Sequence, residues 1–189
     1  MRNYIKKVEY PSLQDHLIFW PIIVAGIAAD LWSKTAVFNW LRSVPENEYR
    51  VIEGLFTMVM RENEGAAFSI ASGQTLLLLS VSIIALFVVI GIFIFGNIRH
   101  KLMEVALALF TAGIIGNLYD RAFNDGKVRD FLDFYVEDFL WIKEYHWPAF
   151  NVADSMLCVA VGLLVIFNFM ISGKTEALNA NDETKGTEE

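Results

Sequence analysis

The sequence predicts an all-α membrane protein with four transmembrane helices and a small β-sheet in one of its connections. Three observations carry that prediction. Hydrophobic residues make up 55% of the chain, above the 45–50% of average soluble domains. That excess is gathered into four apolar segments rather than spread. One of them, Leu76 to Gly96, holds no charged residue, and at about 1.5 Å per residue it reaches across a hydrocarbon core of roughly 30 Å.

Segment one runs about Leu17–Phe38. Its basic start (Arg2, Lys6, Lys7) and Ala28-Ala29 have the look of a cleaved export signal, but the apolar stretch continues past Asp30, longer than such a signal's core. A retained span is expected. Asp30 and Lys34 lie four apart on one helical face. They fit either an ion pair that eases a helix end toward the headgroups or support for a site, and the sequence leaves both open. Between Asn39 and Gly73, the runs Tyr49–Ile52 and Leu55–Met60 are β-branched and aromatic, with turn signals at Pro45, Asn47 and Gly54, so a small sheet is expected there. Asn63-Glu64-Gly65-Ala66-Ala67-Phe68 reads as a turn leading into the second span, where glycine permits close backbone approach.

Segment two is about Thr75–Gly96, and a short basic loop, Asn97–Lys101, leads to segment three, about Leu102–Tyr119. Gly113 and Gly116 suit tight helix packing in lipid. Asn117, Asp120 and Arg121 share one face, and for an Asp-Arg pair at a helix end a structural role is the first expectation. Arg121–Pro148 is rich in acids and aromatics. Segment four is about Ala149–Ile171, with Asn151, Asp154 and Ser155 on one face near its start. There a carboxylate gains about 0.3–1 kcal/mol from the helix N-terminus. Residues 1–173 are expected to form one four-span domain, and residues 174–189 a polar, disordered cytoplasmic tail.

The net charge of −7 argues against a nucleic-acid partner, because phosphate binding needs a basic face. A single cysteine, Cys158, excludes an internal disulfide. Its apolar setting, with no nearby base, predicts a packed core thiol rather than a nucleophile. No Cys/His cluster for a structural zinc exists, and neither metal nor cofactor is expected. Four spans put both termini on one side. Lys and Arg divide evenly between the two sides, but their density in the N-terminal flank and the short loop favours cytoplasmic termini.

An ionisable group at the centre of a span costs roughly 2.5–3.5 kcal/mol on insertion scales, so each needs a partner or a function. The series D-L-W-S-K (Asp30–Lys34), N-E-G-A-A-F (Asn63–Phe68), G-N-L-Y-D-R (Gly116–Arg121), V-R-D-F (Val128–Phe131) and F-N-V-A-D-S (Phe150–Ser155) resembles, in order and spacing, the motifs of lipoprotein signal peptidase (signal peptidase II). The resemblance covers about Asp30 to Gly173. It implies four transmembrane helices with a small extracytoplasmic β cradle and a small periplasmic helix over the site. It also implies a bacterial inner-membrane endopeptidase that cleaves prolipoproteins before a diacylglyceryl-modified cysteine, with its active site at the outer membrane face. The family's two catalytic aspartates fall on Asp130 and Asp154. Asp120 rivals Asp130, but the neighbouring Arg121 argues against it, because a fixed cation would hold it ionised. By the same resemblance, Asp30, Lys34, Asn63, Gly65, Asn117, Asp120, Arg121, Asn151 and Ala153 support or line the site. Lipidated prolipoprotein and membrane lipid are the implied partners, and globomycin-type cyclic peptides the implied inhibitors.

Three departures stand out. Glu64 adds a charge near the substrate path. Arg129 is placed to alter the proton affinity of Asp130. The stretch Trp141–Trp147 reads as an insertion between the two aspartates. Two carboxyls sharing a site cannot both ionise cheaply, so the pair is expected to hold one proton and activate water without metal or covalent nucleophile. The alternatives are a proton- or ion-coupled transporter and a non-catalytic scaffold. The charge-free second span, and polar groups gathered at span ends rather than the midplane, argue against the first. Asparagines and acids sharing helix faces argue against the second.

Overall fold

A computed structural model describes residues 10–65, 73–98, 100–139 and 142–185. Of the positions named above, Ala66, Ala67, Phe68 and Trp141 lie outside the described residues, as do Arg99 of the short basic loop and the basic residues before Tyr10.

Four helices are long and apolar enough to cross a membrane: α1 (Leu13–Leu41), α2 (Thr75–Phe95), α3 (Lys101–Phe123) and α4 (Val152–Lys185), whose apolar part ends at Ser172. Beyond that point α4 continues helically to Lys185, into the stretch expected to be an unstructured tail. Helix α1 starts at a capping box in which Ser12 and Asp15 satisfy each other's backbone N–H groups, which ends an orphan-donor problem common to all helix starts. Asn151 and Asp154 repeat the device at α4. The Asp154 N–H donates to Asn151 Oδ1 (2.9 Å) and the Asn151 N–H to Asp154 Oδ2 (3.1 Å).

Helix α3 packs against α1, α2 and α4. Its buried face runs through Ala106, Leu107, Ala108, Thr111, Ala112, Gly113, Gly116 and Asn117. Small residues there let backbones approach where no hydrophobic force separates lipid from protein. Gly116 is the extreme case. A Cβ at that position would sit 2.5 Å from Asp30 Oδ2 and 3.1 Å from Ala153 Cβ, so only glycine lets α1 and α4 close over α3. At the other end Phe19 of α1 stacks on Phe93 of α2, with ring centroids 3.7 Å apart.

Strands β1 (Glu48–Ile52), β2 (Phe56–Asn63), β3 (Val128–Phe139) and β4 (Ile142–His146) form one antiparallel sheet in the order β1-β2-β3-β4. The sheet sits at the end of the bundle where α1 and α3 finish and α4 begins. Two of its strands answer the two strand-like runs. The other two lie in the acid- and aromatic-rich stretch Arg121–Pro148, where β3 carries the V-R-D-F motif and β4 falls within the Trp141–Trp147 insertion. The described residues outside the four helices hold one helical turn, a 3-10 turn at Pro45–Asn47, and no counterpart of the small helix implied by the family resemblance. Cys158 also differs from expectation. It faces outward from the bundle, because α4 is apolar nearly all round and its sequence does not single out a core face.

Candidate active site

Asp130 lies in β3, where Arg61 of β2 is its cross-strand partner. The segment before α4 is clamped to the same strand. Phe131 and Leu132 both donate backbone N–H groups to the Phe150 carbonyl (3.0 and 2.9 Å), and the Phe150 N–H donates to the Leu132 carbonyl (2.9 Å). That small bridge sets Asn151, and with it the first turn of α4, beside Asp130.

The two sequence-selected aspartates are joined through asparagines. Asn151 Nδ2 donates to Asp130 Oδ1 (2.7 Å) and lies 3.2 Å from Asn117 Oδ1. Asn117 Nδ2 donates to Asp154 Oδ1 (2.7 Å). Asn63 Nδ2 donates to the second oxygen of Asp130 (3.1 Å), while its own Oδ1 accepts from the Gly65 N–H (2.9 Å). Asp130 is 3% exposed. Burial, and then the charge of Asp154, push its carboxyl up to about 7. A desolvated carboxyl next to another acid responds this way.

Behind the pair lies a buried charge network. Lys34 Nζ donates to Asp30 Oδ2 (2.8 Å) and Asn117 Oδ1 (3.1 Å), and lies 3.4 Å from Asp120 Oδ2. Lys34 and Asp30 are both 0% exposed. The other oxygen of Asp30 accepts the Ala153 N–H (2.9 Å), which ties α1 to the start of α4. Lone charges at this depth would be ruinous; paired and hydrogen-bonded, they fix one geometry. Lys34 thus orients Asn117, the residue that holds Asp154.

Asp120 is paired with a different cation from the one expected. Arg129 grips it with Nη2 (2.7 Å), Nε (3.2 Å) and its backbone N–H (2.9 Å). Arg121 instead donates to the Gly65 carbonyl (2.7 Å). The expectation that Arg129 would act on Asp130 is likewise corrected: its guanidinium is engaged by Asp120. Neighbouring strand residues point to opposite faces, so reading Val128–Phe131 as a strand would have separated the two. Glu64 is half exposed and lies 3.3 Å from Lys127 Nζ. Among the described residues, no three His, Cys, Asp or Glu side chains converge as metal ligands do.

All eleven residues selected from the sequence therefore meet at one end of the bundle. Asp130, Asp154, Asn63, Asn117 and Asn151 form the centre. Asp30, Lys34, Asp120 and Ala153 lie behind it, and Gly65 and Arg121 beside it.

Fold and site define a multi-pass membrane protein whose ionisable groups gather under a β-sheet at one end of a four-helix bundle. Known proteins narrow that class. The family model of signal peptidase (SPase) II matches residues 22–170, and the chain belongs to that peptidase family. It is similar to the lipoprotein signal peptidase of Sulfurihydrogenibium sp. (38% identity, covering 79% of this chain and 89% of that one). The lipoprotein signal peptidase of Rhodopirellula baltica is 35% identical, over 82% of this chain and 72% of its own length. That of Francisella tularensis subsp. novicida is 33% identical, over 86% and 98%. Among solved structures, a bacterial membrane enzyme determined by the in meso method at 2.3 Å resolution superposes with a TM-score of 0.68 at 28% identity. That superposition covers 88% of this chain and 94% of the other.

Proposed function

We propose that this chain removes signal peptides from diacylglyceryl-modified prolipoproteins, cutting before the lipidated cysteine, with Asp130 and Asp154 as an aspartic catalytic pair. The observation that carries the reading is the Asp130–Asn151–Asn117–Asp154 hydrogen-bond chain, together with an Asp130 carboxyl raised to about 7. Two linked acids that share one proton are what amide hydrolysis without metal or covalent intermediate requires. The pair titrates as a unit, and the upward shift of the Asp130 carboxyl favours that member as the holder of the shared proton.

In this mechanism water attacks the scissile carbonyl carbon and gives its proton to Asp154. Asp130 donates a hydrogen bond to the carbonyl oxygen. As the tetrahedral intermediate collapses, the C–N bond breaks and the leaving amine takes a proton from the pair. Asn63 and Asn151 hold Asp130, and Asn117 with the Asn151 N–H holds Asp154, so neither carboxylate has to reorganise during the reaction. Arg121, tied to Gly65, places a positive charge near both acids.

The proposal sets the protein in the bacterial inner membrane with cytoplasmic termini, so that the pair lies at the outer face. There a substrate's acyl chains remain in lipid while its peptide bond meets the site. Globomycin-type peptides are expected to compete. The test is cleavage of a lipidated precursor, beside its unlipidated twin, by purified protein in detergent. Only the lipidated form is expected to be cut, and Asp130→Asn and Asp154→Asn are each expected to abolish turnover while the protein still inserts. Normal turnover in either variant would remove that residue from the mechanism.

A further inference from the structure

The opposite end of the bundle holds a second polar site. The start of α1, the end of α2 and the start of α3 enclose a cavity of about 310 Å³ lined by Tyr10, Ser12, Asp15, Phe93, Asn97 and Glu104, among others. Glu104 is 2% exposed. Its Oε2 accepts from Lys101 Nζ (3.0 Å), but its Oε1 makes no hydrogen bond among the described residues. Lys101 is shared with Asp15 Oδ1 (2.6 Å), and Asp15 Oδ2 is taken by the Ser12 N–H and hydroxyl (2.6 and 2.7 Å). Among the described residues two carboxylates thus divide one lysine, and the buried oxygen left over lacks a donor. Buried acceptors are rarely left so.

The missing donor should be cationic, since among the described residues the cluster carries one negative charge in excess. Aromatic rings line the same cavity, and Tyr10 packs edge-on against Phe95 (6.2 Å); such rings favour a cation. A bare divalent ion would ask for more ligands than two carboxylates, and no such metal group exists among the described residues. The place matters too. The charge-free helix α2 ends at Phe95, so the cavity lies where hydrocarbon gives way to headgroups.

We propose that this cavity binds a primary ammonium group, supplied by an ethanolamine-type lipid headgroup whose N–H donates to Glu104 Oε1. A quaternary ammonium has no N–H and leaves that oxygen unfilled, so the site discriminates by hydrogen-bond donation rather than by charge alone.

The experiment is native mass spectrometry of the full chain, relipidated from detergent with equal amounts of phosphatidylethanolamine, its N,N-dimethyl derivative and phosphatidylcholine on identical acyl chains. Wild type is expected to retain phosphatidylethanolamine roughly tenfold over phosphatidylcholine, as a charged hydrogen bond implies, with the dimethyl lipid between them. Glu104→Gln is expected to bring the three together. Millimolar free ethanolamine is the second arm. If it displaces the lipid, the ammonium chemistry stands and the site also draws from solution; if it does not, the lipid is the source. Equal retention of the three lipids by wild type overturns the proposal, whether or not the variant folds. No cleavage is needed for the readout, so the outcome is independent of the aspartate pair.

Discussion

Asp130→Asn should do more than stop turnover: it should change how stability depends on pH. In the folded chain the Asp130 carboxyl is raised from 3.8 to about 7. A carboxyl whose folded value lies above its unfolded value holds its proton more tightly when folded. Its contribution to stability is therefore fully present below about 4 and is lost as pH climbs to about 7. At 1.36 kcal/mol per unit, the loss across that window is about 4 kcal/mol. The asparagine cannot titrate. It must also turn an NH₂ toward Asn63 or Asn151, both of which donate to Asp130, at a cost of about 1–3 kcal/mol. The variant should thus be the less stable protein at pH 4 and should overtake wild type by pH 8. For a chain of this size each kcal/mol moves Tm by roughly 2–4 °C, so the Tm difference between the two should shift by roughly 8–16 °C over the window. Tryptophan-fluorescence melting in detergent from pH 4 to pH 8 reads this directly. Parallel Tm curves, within about 2 °C throughout, would refute the claim that a buried proton sits on Asp130.

Cleavage of a lipidated precursor should fall about tenfold per pH unit above about 7, as the pair loses its shared proton; a kcat/KM flat to pH 9 would contradict this. Lys34→Met removes the cation shared by Asp30 and Asp120 and should destabilise by about 3–5 kcal/mol in denaturant titration, whereas a loss under about 1 kcal/mol would show the network to be dispensable. Gly116→Ala, whose Cβ meets Asp30 and Ala153, should cost about 1–3 kcal/mol, while Gly91→Ala, with nothing within 4 Å, should be silent by the same measurement.

What the sequence made legible depended on the range of the interaction involved. Helix α2 was readable almost to its ends, because an unbroken uncharged run has one interpretation in lipid. Asp154 and Asn151 stood out because acids and amides opening an apolar helix need a reason to be there. The Asp30–Lys34 pair was visible because its partners are one helical turn apart. By contrast, Asp120 was given Arg121, its chain neighbour, when the strand geometry of β3 delivers Arg129. The β3–β4 hairpin was obscured by mixed acids and aromatics with no clear alternation, and pairing with β2, which is remote in sequence, decides it. Cys158 went astray because an all-apolar helix offers no periodicity to say which side meets lipid.

Two of the buried acids have a cation close along the chain as well as in space. Asp30 has Lys34 four residues on, and Asp120 has Arg129 nine residues on. Each acid can be neutralised by its own stretch of polypeptide as synthesis proceeds, before any other helix has arrived. The membrane is then asked to admit matched dipoles instead of bare anions, and bundle assembly only has to bring the finished pairs together. A layout that drew every counter-charge from a distant helix would leave each newborn segment stranded until its mate appeared.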